Sequence, residues 1–427
     1  MDKLVIEGGK PLSGTIRIHG AKNAALPILA AAILADGAVE LHNVPQLLDI
    51  EVMLDILRGL GCRASHDGYT VVIDSSGLRT SHIPEDLMRQ MRSSIFLMGP
   101  LLAKYREVHI YQPGGCAIGE RKIDLHLRGL QALGAKIEQK GNLMTCRADQ
   151  LVGSAIHLDF PSVGATENIM MAAVLAEGKT VLSNAAREPE IVDLQNFLNC
   201  MGAKVSGAGS DTITIEGVNN LRGTQYEVIP DRIVAGTLMI AAAATRGAVT
   251  LTNAYSEHLV SLIHILRRAG VQIATSNGII NVTSFGRPRA VDRVVTSPYP
   301  AFPTDLQSQL MVLLTLSDGV SVVKETIFEG RFKHVDELSR MGADIRVDLS
   351  SAIVRGVNKL YGTTVEATDL RAGAALVIAG LAAEGSTVIE RIHHIDRGYD
   401  GIENMFTRLG ARIKRIAAVP KLDMANG

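Results

Sequence analysis

The sequence predicts an α/β protein of two lobes. Each lobe holds three repeats whose apolar helices lie inside a wrapping of sheets and more polar helices. Three observations predict this. First, one phrase recurs about every 70 residues, and self-similarity at a long fixed period decides architecture before any local assignment. Its copies are Leu60-Gly61-Cys62, Leu133-Gly134-Ala135, Met201-Gly202-Ala203, Ala269-Gly270-Val271, Met341-Gly342-Ala343 and Leu409-Gly410-Ala411. Second, every repeat opens with a helix of small apolar residues that lacks a polar stripe, as buried helices do. Third, every repeat closes in strand material rich in Val, Ile and Thr. Three units can close a shell, so six make two lobes. The first lobe is expected over 22–229 and the second over 1–21 with 230–427, with crossings near 20–22 and 228–231.

The opening helices are expected over Ala24–Leu34, Ile95–Ala103, Asn168–Leu175, Ala235–Ala244, Gln309–Leu316 and Ala372–Ala382. Gly37, Gly178, Gly247, Gly319 and Gly385 follow most of them as C-cap or turn residues. A β-rich run comes next, such as Thr180–Ser183 or Val249–Thr252, and then a more amphipathic helix such as Ile191–Met201. Between these two stand the tight turns Asn43-Val44-Pro45, Asn184-Ala185-Ala186 and Asn253-Ala254-Tyr255. The first twenty residues are expected to form a strand pair left over from the closing unit of the second lobe.

Composition narrows the function. A chain of 427 residues with 47% hydrophobic side chains builds a large core, and a net charge of −1 advertises no nucleic-acid face. Four cysteines in this length do not read as a disulfide framework and suggest a reducing compartment. The start, Met1 to Glu7, lacks a secretory layout, and the apolar stretches of about 12–15 residues are too short to span a bilayer. A cytoplasmic protein without membrane or nucleic-acid partners is expected.

The helix starts carry Lys22-Asn23, Arg92-Ser93, Ala165-Thr166-Glu167, Asp231-Arg232, Thr304-Asp305 and Thr368-Asp369-Leu370-Arg371. Thr, Asn and Asp there serve as ordinary N-caps. Aligned by the repeat, though, the starts share one end of each lobe, where open N–H groups and a partial positive charge join Lys22, Arg92 and Arg371. Such a place suits an anion.

One loop breaks the repeat: Pro113-Gly114-Gly115-Cys116-Ala117-Ile118-Gly119, where other units carry a tight turn. Its glycines let backbone approach a ligand closely. Arg121 and Lys122 behind it favour the thiolate of Cys116, a candidate nucleophile or proton donor. Cys62, Cys146 and Cys200 read instead as small packed residues.

With this loop and Arg121, the chain resembles the enolpyruvyl transferases, in particular the UDP-N-acetylglucosamine 1-carboxyvinyltransferases. The resemblance runs through nearly the whole sequence: Gly20-Ala21-Lys22-Asn23-Ala24, Ser162-Val163-Gly164-Ala165-Thr166, Glu188-Pro189-Glu190-Ile191-Val192-Asp193, Pro230-Asp231-Arg232, Ala301-Phe302-Pro303-Thr304-Asp305 and Asp396-Arg397-Gly398-Tyr399. It implies a two-lobed inside-out α/β barrel, in agreement with the repeats. It also implies two small-molecule substrates, phosphoenolpyruvate and UDP-N-acetylglucosamine, and no cofactor.

By motif match, the catalytic residues are Cys116, Asp305, Lys22 and Arg397. Lys22, Arg121 and Arg397 then face the phosphoenolpyruvate phosphate, Arg331 and Arg371 its carboxylate, and Asn23 joins the same binding set. The UDP-sugar falls to Arg92, the stretch Arg121, Lys122, Ile123, Asp124 and Leu125, Ser162 and Val163, with Asp305 and Ile327 at the sugar. Asp305 is the implied base and Cys116 the implied acid. Arginine forks suit both phosphate and carboxylate, so the charges agree with these roles. No metal is expected. His393 and His394 beside Asp396 are read as strand neighbours pointing to opposite faces.

Some positions depart from the family. Lys122 stands where many members have Pro, Leu48 replaces a common Lys, Gly330 an Asn and Tyr299 a His. Two other readings stay open: enolpyruvyl transfer to shikimate 3-phosphate, and a regulatory paralogue that binds the UDP-sugar without catalysis. Retention of Lys22, Cys116, Asp305 and Arg397 speaks against the second, because a pure binder needs neither acid nor base.

Overall fold

The computed structural model describes residues 2–111 and 123–417. The loop with Cys116, Arg121 and Lys122 therefore lies outside the described residues. The chain divides into two compact units. One comprises His19–Asp231 and Pro298–Ala301; the other comprises Met1–Ile18, Arg232–Ser297 and Phe302–Gly427.

In the unit His19–Asp231, the buried helices are Lys22–Ala31, Met98–Tyr105 and Val163–Ala173. In the other they are Arg232–Ala244, Gln307–Thr315 and Leu370–Ala382, which pack on one another. All six opening helices thus form; five start two to five residues before their apolar runs begin, whereas Met98–Tyr105 starts three residues after Ile95, behind the 3-10 turn Arg92–Leu97. The early start has a simple cause: the first turn carries the polar or charged residue that caps or charges the helix start. Every residue of Arg232–Ala244 is buried, as a helix apolar all round requires.

Three of these helices form the crossover of a βαβ unit, Gln307–Thr315 between the parallel strands Arg293–Val295 and Val320–Lys324 among them. Ala155–His157 pairs in parallel with Lys179–Ser183 across Val163–Ala173, and Thr364–Glu366 with Ser386–Glu390 across Leu370–Ala382. Antiparallel strands extend each sheet; Thr212–Glu216, for example, continues the sheet of Lys179–Ser183 and turns Ile213 and Ile215 inward at 0% exposure. This alternation is the period of two of a sheet with one buried face. Among the described residues the strands form separate sheets of two to four strands, so the helices are enclosed without a closed barrel of strands.

The N-terminal strands correct one expectation. Lys3–Glu7 joins Ser386–Glu390 and Arg412–Ile416, whereas Ser13–Arg17 joins Ala248–Thr252 in another sheet. They do not pair with each other. Ser13–Arg17 is the parallel first strand of the repeat containing Arg232–Ala244, so the N-terminus supplies two repeats.

The recurring glycines all take left-handed backbone: φ is 108° at Gly61, 101° at Gly134, 105° at Gly202, 90° at Gly270, 96° at Gly342 and 82° at Gly410. Glycine alone adopts it cheaply, which explains the repeat of the residue. After the buried helices, Gly37, Gly178, Gly319 and Gly385 do likewise, but at Gly247 the positive φ belongs to Arg246, at 54°. Gly247 is small for a different reason: a Cβ there would meet the Leu12 carbonyl oxygen at 2.2 Å. Buried helix ends find partners in long cations. Lys104 Nζ donates to the carbonyls of Ile33 (2.8 Å) and Ala35 (3.3 Å), and Arg287 Nη2 to those of Ser317 (2.8 Å) and Val357 (3.1 Å). Carbonyls left open at a helix end are satisfied this way.

Candidate active site

In the unit His19–Asp231, Lys22 opens its helix and is only 7% exposed. A buried ammonium needs an opposite charge. Asp49 supplies it, with Oδ2 2.6 Å from Lys22 Nζ. The Lys22 backbone N–H donates to Asp231 Oδ2 at 3.2 Å, which caps one open group of the helix start. Segments 19–21 and 229–231 run antiparallel beside each other: Ala21 N–H donates to Ile229 O at 2.7 Å and Asp231 N–H to His19 O at 2.9 Å. Asn23, next in the helix, is half-buried.

Ser162 caps Val163–Ala173, its Oγ accepting from Ala165 N–H at 3.4 Å. The turn packs so closely that a Cβ on Gly164 would lie 3.0 Å from His126 Cε1. The His126 ring is fixed by Asn168: Nδ1 lies 2.9 Å from Asn168 Nδ2, while Asn168 Oδ1 accepts from Gly99 N–H at 2.8 Å. The amide thus turns its NH2 to the ring, so Nδ1 accepts and Nε2 carries the proton. Burial, helped by the charge of Arg92, pushes His126 down to about 4, so the ring is neutral at pH 7. Arg92 opens the 3-10 turn Arg92–Leu97. Ile123 precedes the helix Asp124–Ala132, in which Asp124 and Leu125 occupy the first turn and Asp124 meets Arg128 at 3.0 Å.

The other unit gathers Asp305, Arg331 and Arg371. Asp305 lies in the turn Thr304–Leu306 that leads into Gln307–Thr315. Its Oδ1 takes Arg331 Nη2 at 2.8 Å and its Oδ2 takes Arg371 Nη2 at 2.9 Å. Both arginine side chains are buried, while the Asp305 side chain keeps 25% of its surface. Among the described residues Arg331 Nη1 is buried without a hydrogen-bond partner, and the guanidinium stands 5.4 Å from the Phe328 ring. Such a donor offers an anion a site already desolvated. Asp369 caps the Leu370 helix, accepting from Arg371 N–H (2.9 Å) and Ala372 N–H (3.0 Å).

Glu325 organises the neighbouring loop. Its Oε1 accepts from Ile327 N–H at 2.7 Å and Phe328 N–H at 3.1 Å, and its Oε2 accepts from Thr304 Oγ1 at 2.9 Å. One buried carboxylate thus ties Ile327 to the turn holding Asp305. Arg397 ends the 3-10 segment Ile392–Arg397, where the preceding Asp396 is held by Arg415 at 2.5 and 3.0 Å.

That segment overturns the strand reading of the histidines. His393 and His394 sit on a 3-10 turn with ring centroids 4.1 Å apart; such a turn separates consecutive side chains by about 120°, not by the about 180° of a strand. Burial, followed by the charges of His393 and the nearby arginines, pushes His394 down to about 4. Among the described residues no group of three or more His, Cys, Asp or Glu is placed to hold a metal ion.

Asp49 and Glu325 escaped the sequence reading. The signal for Asp49 was Lys22 itself, since a lysine in a buried apolar run requires a carboxylate. Nothing local marked Glu325. The departure Leu48 falls next to Asp49 and is 47% exposed, and Gly330 immediately precedes Arg331.

The EPSP synthase (3-phosphoshikimate 1-carboxyvinyltransferase) family matches residues 6–406. The chain belongs to this enolpyruvyl transferase family. It is 54% identical over 416 residues to UDP-N-acetylglucosamine 1-carboxyvinyltransferase 2 of Caldanaerobacter subterraneus subsp. tengcongensis, covering 97% of this chain and 100% of the relative. It is 53% identical to the enzyme of the same name from Carboxydothermus hydrogenoformans, covering 98% and 100%. Among solved structures it is similar to the enolpyruvyl transferase NikO from Streptomyces tendae, with a TM-score of 0.89 at 25% identity over 98% of this chain and 99% of that one. EPSP synthase from Acinetobacter baumannii shares the fold, with a TM-score of 0.76 at 19% identity, over 98% and 100%. The chain is therefore a transferase with an enolpyruvyl transferase fold, and among the described residues no helix is long and apolar enough to cross a membrane.

Proposed function

We propose that the protein transfers the enolpyruvyl group of phosphoenolpyruvate to the 3-hydroxyl of UDP-N-acetylglucosamine and releases inorganic phosphate. This step opens peptidoglycan synthesis and belongs in the cytoplasm. One observation carries the reading: Asp305 is held between Arg331 and Arg371 in a chain whose full-length relatives bear that activity's name.

Arg331 and Arg371 bind the phosphoenolpyruvate carboxylate as forks, Lys22 with Arg121 and Arg397 binds its phosphate, and Asn23 lines the same site. Both Asp305 oxygens are paired to arginine. The incoming carboxylate offers these guanidiniums another partner and frees a carboxylate oxygen for the sugar hydroxyl. Asp305 then takes the hydroxyl proton as the sugar oxygen bonds to C2. Cys116 gives a proton to C3, which becomes a methyl group in a tetrahedral intermediate. Loss of a C3 proton and departure of phosphate restore the double bond as an enol ether. Fixed cations around the phosphate favour the charge that develops there. Arg92, the stretch Arg121–Leu125, Ser162 and Val163 hold the UDP moiety, with Ile327 at the sugar. The neutral His126 behind Gly164 keeps the helix start in place.

Product analysis tests the reading. Incubation with both substrates should yield a UDP-sugar whose proton NMR spectrum shows a vinyl pair on the substituent at O3. Recovery of unmodified UDP-N-acetylglucosamine from a folded protein would contradict it.

A further inference from the structure

We infer that Tyr399 is a positioning residue for Arg371 and Asp305, acting through a buried relay with Thr237 and Gln309; the inference rests on the roles proposed above for those two residues. The relay joins three core helices. Thr237 lies on Arg232–Ala244, Gln309 on Gln307–Thr315 and Arg371 on Leu370–Ala382. Tyr399 follows Ile392–Arg397. Thr237, Gln309 and Tyr399 are all at most 2% exposed, so water does not satisfy their polar atoms.

The direction of every bond follows from donor and acceptor counts. Thr237 Oγ1 spends its hydrogen on the Ile233 carbonyl at 2.8 Å. It must therefore accept at its 2.9 Å contact with Tyr399, and the phenol donates. The phenol oxygen then has only lone pairs to offer. It accepts from Gln309 Nε2 at 3.3 Å and from Arg371 Nη1 at 3.5 Å. Gln309 Nε2 has two hydrogens for three acceptors: one goes to the Asp305 backbone carbonyl at 2.9 Å, and the other is shared between the Tyr399 oxygen and Thr237 Oγ1 at 3.2 Å. Its Oε1 accepts from Ser308 Oγ at 2.9 Å, which keeps the amide in this orientation.

Two consequences meet at the proposed reacting centre. Arg371 is oriented from one side by the phenol oxygen and from the other by Asp305, with its Cζ 5.8 Å from the Tyr399 ring centroid. The turn that carries Asp305 is pinned by Gln309 through its main chain. One hydroxyl thus fixes the carboxylate fork and, through Gln309, the base. A small misplacement of such groups is costly in rate even where binding of the other substrate is untouched.

The experiment compares Tyr399→Phe, Thr237→Val and Thr237→Ser with the parent in a phosphate-release assay, alongside calorimetry for UDP-N-acetylglucosamine and thermal unfolding. Tyr399→Phe keeps the ring and removes the relay oxygen. Thr237→Val keeps the shape and removes the acceptor. Both should lower kcat/KM for phosphoenolpyruvate by about tenfold or more, the cost of a hydrogen bond to a charged group. The UDP-N-acetylglucosamine Kd should stay within about twofold, because the change acts on other ligands. Thr237→Ser, which keeps the hydroxyl, should restore parental kinetics. Parental kcat/KM in Tyr399→Phe and Thr237→Val, with only a lower Tm, would reduce the relay to packing and overturn the inference. If Tyr399→Phe does not fold, Thr237→Val decides. If the parent itself releases no phosphate, the proposed function falls. The relay is then judged by a crystal structure of Thr237→Val, where an unaltered Arg371–Asp305 pairing would overturn it and a displaced Arg371 would support it.

Discussion

Lys22 Nζ lies 2.6 Å from Asp49 Oδ2, and both side chains are less than a tenth exposed. A charge taken so far from water is costly to leave without its counter-charge, whereas replacing both partners together is often nearly neutral. Asp49→Asn should therefore destabilise the protein by about 3 kcal/mol in denaturant unfolding. The double variant Lys22→Met with Asp49→Asn should regain most of that loss. Added inorganic phosphate should raise the Tm of Asp49→Asn more than that of the parent, because the anion replaces the lost carboxylate charge beside Lys22. Equal destabilisation by Asp49→Asn with and without Lys22→Met would refute the pairing as an energetic unit.

Asp305→Asn keeps shape but cannot accept the hydroxyl proton. Turnover should fall by about two to four orders of magnitude, the range for lost general-base catalysis. UDP-N-acetylglucosamine binding, followed by calorimetry, should weaken far less. Near-parental turnover, or a failure explained wholly by lost sugar binding, would remove Asp305 as the base.

Glu167 gives stability a pH dependence. It is fully buried, and neither carboxyl oxygen has a hydrogen-bond partner among the described residues. Burial, then the charges of Glu190 and Glu188, raises it well above 4.5. Asp193 is pushed up to about 7, chiefly by burial, although the Tyr226 hydroxyl at 2.6 Å and Ile229 N–H at 3.3 Å oppose the rise. Unfolded carboxyls ionise near pH 4, so above that the folded state holds protons that the unfolded state has lost. Stability is therefore highest below the unfolded value and falls as pH rises, until the folded group ionises. The slope is up to about 1.4 kcal/mol per pH unit for each such group. Glu167→Gln should gain on the parent between pH 5 and 7 with about this slope in urea unfolding. His126 and His334, both pushed down to about 4, act in the opposite sense below pH 6.5 and cancel in the comparison. A gain independent of pH would show that Glu167 is ionised in the fold.

The cysteines should differ in reactivity. Burial pushes Cys62 up to about 11 and Cys146 up to about 12, which leaves both thiols inert at neutral pH. Fosfomycin, an electrophile that mimics phosphoenolpyruvate, should inactivate the protein and leave its adduct on Cys116 in peptide mapping. An adduct mainly on Cys62, Cys146 or the exposed Cys200, with activity lost, would reject Cys116 as the reactive thiol.

The repeat was legible in the sequence because its marker is local. Only glycine takes the left-handed turn cheaply, so Gly61, Gly134, Gly202, Gly270, Gly342 and Gly410 report one backbone conformation each. The buried helices were legible because an apolar helix without a stripe has nowhere else to go. What escaped was tertiary. Lys3–Glu7 and Ser13–Arg17 look like a hairpin but serve different sheets, since pairing is chosen by the edges available and not by proximity in sequence. His393 and His394 carry no sign of a 3-10 turn in their own residue types. Within the candidate site, Arg331, Arg371 and Asp305 came from motif resemblance. Their supports, Glu325, Thr237 and Gln309, belong to other elements, and only three-dimensional distance reveals them.

The central claim is the choice of acceptor. Phosphate release should be measured from phosphoenolpyruvate with UDP-N-acetylglucosamine and, separately, with shikimate 3-phosphate at equal concentration. The account predicts sustained release with the sugar nucleotide and none above background with shikimate 3-phosphate. Release with shikimate 3-phosphate alone, or with neither acceptor from a folded protein that binds UDP-N-acetylglucosamine, would contradict it.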